Sequence, residues 1–150
     1  AGLTRALDRW EPADDNLELG GVRIPDAEPK VPRHYAPRWD RGLRWRNVCH
    51  HQGIAYPTAL LRAKGGFSLE FPVLADYALN LVLWQSGVKA KWNEGENWVS
   101  AAPGGVSRQF NPALYAEERQ LKAQVMRVGL AKWCQPLWIR LKSLWKAQGQ

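Results

Sequence analysis

The sequence has only two cysteines, Cys49 and Cys134. That is too few for a disulfide framework, so a reducing compartment is expected. Long apolar runs are also missing: none approaches the roughly 18 residues needed to span a bilayer, and no signal peptide is visible. There is no internal repeat. The charge of one sign disappears towards the end: after Glu118 the chain carries Arg119, Lys122, Arg127, Lys132, Arg140, Lys142 and Lys146 and no acid. No methionine opens the chain, and "GLTRALDRW" reads as if already inside a helix, with the expectation that something upstream has been removed.

What is present describes a globular chain. A length of 150 residues suits one domain with a sizeable core, and 45% hydrophobic residues with nine tryptophans exclude a disordered one. A formal charge of +7 favours anionic partners: phosphorylated ligands, nucleic acid or an acidic membrane surface.

Along the chain, "EPADDN" is a break and "LELGGVRI" a short strand. Residues 25–47, with Pro25, Pro29, Pro32 and Pro37 among many arginines, are too broken for regular structure and too long for a passive connector. "GIAY" reads as a short buried strand, and "PTALLRAKGG" as a short helix begun by Pro57 and ended by glycines. Val73, Tyr77 and Leu81 predict a helix closed by Gly87. "VKAKWN" and "NWVSAA" read as two strands joined by "EGE", and "PGGVS" as a loop. A long helix is expected from Pro112 to about Pro136, where the proline breaks or kinks it. Beyond it, Leu137, Trp138, Leu141, Leu144 and Trp145 share one face. The mixed order of strands and helices predicts an α/β or α+β class.

Four features could carry chemistry. Asp76 lies near the start of an apolar helix, where the helix dipole favours its ionised form and where it could take a proton from a hydroxyl; a solvated or capping residue has the same signature. "NVCHHQG" groups Cys49, His50 and His51, but adjacent side chains of an extended segment point to opposite sides. Only His34 and Cys134 remain to complete a metal site, at no recognisable spacing, so a structural metal is not expected. A His-Gln pair, His51 and Gln52, suits ligand hydrogen bonding or a satisfied core. "APGGVSR" offers backbone amides and Arg108 to a phosphate, but has no Walker lysine and equally fits an ordinary turn. The basic, Trp- and Leu-bearing tail suits either an anionic membrane surface or packing on the domain. A loop with Tyr35, Arg38, Trp39, Arg44, Trp45 and Arg46 could stack on bases, which keeps open a non-catalytic basic module binding nucleic acid or anionic membrane.

The order of these pieces carries a resemblance. "CHHQGIAYPTALLRAKGGFSLEFPVLADYALNLVLWQSGVKAKW" followed by "GGVS" resembles the C-terminal half of bacterial family-2 glycosyltransferases, over about residues 47–107 and more loosely back through "LELGGVRI". The resemblance implies a partial GT-A (Rossmann-like) α/β domain: a mixed sheet flanked by helices over residues 1–111, with a long C-terminal helix and a basic amphipathic tail over 112–150. It implies an inverting transfer of a sugar from a nucleotide-sugar donor to a glycan or lipid-linked acceptor, with Asp76 as the general base. Gly65, Gly66 and Phe67 would line the donor-sugar pocket, His51 and Gln52 the acceptor side, and Gly104, Gly105, Ser107 and Arg108 a loop over the site. A divalent cation, Mg²⁺ or Mn²⁺, is implied for the intact enzyme, held by an Asp-rich cluster in a nucleotide-binding half that this chain does not carry. As a fragment the chain is expected to be inactive alone, cytoplasmic, peripheral at the inner membrane face, and prone to self-association through an exposed sheet edge. Three positions depart from the family pattern: Gly21 replaces its usual acid, Ala78 follows Ala-Asp-Tyr where an acid is common, and His50 is extra.

Overall fold

The computed structural model describes residues 16–26, 32–102, 112–126 and 129–147. Their frame is a mixed α/β arrangement with a four-stranded sheet built around one central strand. That strand, β1 (Leu17–Arg23), is buried along nearly its whole length, as befits a strand covered on both faces. β2 (His34–Tyr35) and β3 (Ile54–Ala55) pair with it antiparallel at opposite ends, through Val22–Tyr35 and Leu19–Ile54. β4 (Ala90–Ser100) runs parallel to it, from Leu17–Ala90 to Arg23–Ser100.

β4 replaces the two strands expected from "VKAKWN" and "NWVSAA". Both halves pair with β1, but the register jumps from Leu19–Trp92 to Gly21–Asn97. The "EGE" residues bulge out of the ladder, with Gly95 at φ +80°, instead of turning the chain back.

Helix α1 (Thr58–Ala63) and helix α2 (Ala75–Gln85) end in the same way. The amides of Gly65 and Gly66 return to the carbonyls of Arg62 and Leu61, and those of Gly87 and Val88 to Trp84 and Leu83. Each is a Schellman closure, which needs a left-handed residue just past the helix: Gly65 has φ +78° and Gly87 φ +84°. α2 is apolar all round because it is sandwiched. Leu79 and Leu83 pack towards Leu17 and Leu19 of the sheet, while Tyr77, Ala78 and Leu81 pack on Leu121 and Met126.

Leu121 belongs to α3 (Pro112–Val125), so the segment expected as a tail begins with a helix that joins the core. The chain breaks near Gly129, not at Pro136, and α4 (Leu130–Ala147) carries Pro136 inside it. A proline there forfeits one helical hydrogen bond, which α4 tolerates. None of the helices among the described residues is long and apolar enough to cross a membrane.

Candidate functional site

The start of α2 is fixed from a distance. The amides of Val73 and Leu74, which have no intrahelical partner, both donate to Glu117 Oε1 of α3, at 2.9 and 2.7 Å. Asp76 thereby falls in the first turn of α2, where its Oδ1 accepts the amide of Tyr77 at 2.8 Å.

The C-terminal part of the proline- and arginine-rich stretch is tethered to the domain. Trp39 Nε1 donates to the carbonyl of Val88 at 2.8 Å, and Asp40 caps a single 3₁₀ turn, Arg41–Arg44, through the amide of Gly42. Trp45 stands edge-on to Trp138 of α4, with ring centroids 5.8 Å apart. Tyr77 donates its hydroxyl to the carbonyl of Leu43 at 2.6 Å. Two of the aromatics that suggested base stacking therefore hold the loop down instead. So anchored, the loop delivers Asn47, whose Nδ2 donates to Asp76 Oδ2 at 3.0 Å while its Oδ1 accepts the amide of Cys49.

Cys49 turns into the core, its thiol donating to the carbonyl of Arg38, and burial pushes its pKa up to about 11. It is an inert packing residue. His50 and His51 do not point to opposite sides, contrary to expectation: their rings stack 5.0 Å apart at 19°, because His51 opens a 3₁₀ turn (His51–Gly53) and the backbone is no longer extended. His51 Nδ1 lies 3.8 Å from Asp76 Oδ2.

These groups face a cleft of about 870 Å³, large enough for one or two sugar rings. Asp76, His50, His51, Gln52 and Phe67 all line it, as do Asn47 and Tyr35. Among the described residues on its wall, Asp76 is the one carboxylate, set against His34, Arg38, Arg46 and the two stacked imidazoles.

Burial raises the pKa of Asp76 above its ordinary value, against the opposing pull of the Tyr77 amide, His51 and Asn47. The helix dipole alone suggested the reverse. Desolvation wins because the side chain is only 23% exposed, and the outcome is a carboxylate more basic than a surface aspartate.

Gly65 and Gly66 are not on the wall of the cleft; the end of α1 accounts for them, and Phe67 reaches the cleft with its ring edge-on to Tyr56. Gly104, Gly105, Ser107 and Arg108 lie outside the described residues, although Ala101 and Ala102, just ahead of them, line the cleft. Among the described residues no three His, Cys, Asp or Glu side chains converge on a point that could hold a metal ion. The divalent cation that the resemblance implies therefore finds no cradle in them.

Asn47 was not singled out by the sequence. An asparagine between Arg46 and Val48 has no distinctive spacing, and only the folding of the loop brings it to a residue 29 positions away. Compared with known proteins, the chain matches no family model, no curated sequence and no solved structure.

Proposed function

We propose that the cleft accepts a sugar hydroxyl and that Asp76 is the base that deprotonates it, in an inverting glycosyl transfer from a nucleotide-sugar donor. The acceptor oxygen bonds to the anomeric carbon, its proton passes to Asp76, and the bond from that carbon to the nucleoside diphosphate breaks on the opposite face. The observation that carries this reading is Asp76, the one carboxylate on the cleft wall among the described residues, held by Asn47 and the Tyr77 amide, whose basicity is raised by burial. The resemblance of the chain's motif order to that of family-2 glycosyltransferases supports this choice of reaction class. His51 and Gln52, at the exposed rim, suit hydrogen bonding to the acceptor, and Phe67 offers an apolar surface to a sugar face. The donor diphosphate and any divalent cation belong, on this reading, to residues outside those described.

The test is Asp76→Asn in the enzyme complete with its donor-binding half. Transfer should fall by about 10²- to 10⁴-fold with donor affinity unchanged within twofold. Turnover near the parental rate would remove Asp76 as the base.

A further inference from the structure

Helix α4 is mounted with its apolar side outwards. It docks on the domain through a polar seam: Gln135 and Ile139 are 3% and 1% exposed, and Lys142 pairs with Glu118 of α3. Gln135 donates to the carbonyl of Arg44 at 2.9 Å and accepts from the buried Lys122 at 2.8 Å. On the opposite side, at helical spacing, stand Trp133, Leu137, Leu141 and Leu144, which are 79, 63, 54 and 56% exposed. A helix that served only to cover the domain would turn these four inwards.

We propose that this face of α4 lies on an anionic lipid surface, with the four side chains among the headgroups and upper acyl chains. Charge selects the occupant. From Arg119 to the end the sequence has no Asp or Glu and seven Lys and Arg; of these Lys122 is buried and Lys142 is paired with Glu118, leaving Arg119, Arg127, Lys132, Arg140 and Lys146 as the cations that select an anionic surface. Arg140 is exposed beside the stripe, and the exposed Arg44 and Arg46 flank Trp45, whose ring meets Trp138 of α4. Bound to a second copy, the stripe would bring two such acid-free segments together against their mutual repulsion; on anionic headgroups the same charge is attractive. The mode is interfacial and not spanning, since Lys132, Arg140 and Lys142 interrupt α4.

Lipid binding does not depend on the catalytic reading and is measured without turnover, on the 150-residue chain by vesicle flotation. The chain should float with vesicles of equimolar phosphatidylglycerol and phosphatidylcholine and remain behind with phosphatidylcholine alone. Leu137→Glu with Leu141→Glu, at exposed positions, should cut the bound fraction at least roughly tenfold with an unchanged near-ultraviolet dichroism spectrum. Arg140→Gln should weaken binding roughly fivefold, an effect that disappears in high salt. Equal binding to neutral vesicles overturns the proposal, as does flotation of the double Glu variant like the parent. A dimer in solution that the double variant dissolves, without flotation of the parent, assigns the face to a second copy and overturns it as well.

Discussion

Asn47 Nδ2 donates to Asp76 Oδ2 at 3.0 Å, so a residue of the irregular loop holds the carboxylate that begins α2. This hydrogen bond favours the ionised form of Asp76, while burial favours the neutral one and prevails. Removing the donor with Asn47→Ala therefore raises the Asp76 pKa further. On the proposed glycosyl-transfer reading, the acid limb of the kcat/KM profile should then move to higher pH, with a lower rate at its foot. The sign for stability follows from the same shift. A carboxylate whose folded pKa exceeds its unfolded value stabilises the fold most below the unfolded value, and this contribution is lost as pH rises through the folded one. Asn47→Ala should thus cost about 1.5 kcal/mol at neutral pH, and less in acid, where Asp76 is protonated in both proteins. Urea titrations across the acid range measure the gap; a gap that does not narrow on acidification contradicts the assignment.

Lys122 fastens the same loop from beneath. Its ammonium is buried at the join of α3 and α4, donating to the carbonyl of Trp45 and to Gln135 Oε1, both at 2.8 Å, and pairing with Glu118 at 2.9 Å. Burial lowers its pKa to about 8, the Glu118 carboxylate opposing the shift. Lys122→Met keeps the volume but strands Gln135 Oε1, leaves the Trp45 carbonyl to the Trp138 indole, and leaves Glu118 to Lys142 alone. The expected loss is about 3 kcal/mol by urea denaturation, against less than about 1 kcal/mol for Lys142→Met, whose ammonium is partly exposed. Equal losses for the two variants would mean that the buried join does not hold the loop.

Much of this frame was legible in the sequence because it rests on local chemistry. Gly65 and Gly87 mark helix ends, the run "LELGGVRI" after a turn-forming break marks a strand, and the four-residue period of Val73, Tyr77 and Leu81 marks α2. What was not legible depends on distant partners. Lys122 counts in sequence as one cation of a basic tail, and only the packing of α3 on the Trp45 carbonyl makes it a core residue. Pro136 looked like the natural break, yet it lies inside α4, which buries Ile139 beyond it and reaches Glu118 through Lys142. Asp76 was visible as an acid in apolar company. Its raised pKa was not, since the dipole is a local effect and desolvation depends on the whole cleft.

Gly20 and Trp98 show how the sheet reaches the cleft. Trp98 lies in the stretch of β4 where the register slips a second time, between Asn97 opposite Gly21 and Val99 opposite Val22. Its ring, 8% exposed, occupies the space that a Cβ on Gly20 would need, and on the other side a Cβ on Gly53 would run into the Gly20 carbonyl. Gly20 is thus pressed between the indole and the 3₁₀ turn that carries His51 and Gln52. Gly20→Ala should push the indole aside at a cost of about 1–3 kcal/mol. Trp98→Ala opens the space, so in that background the added methyl should cost almost nothing. A double-mutant cycle by urea denaturation reads this coupling directly. If Gly20→Ala costs the same with and without the indole, the ring is not what demands a glycine there.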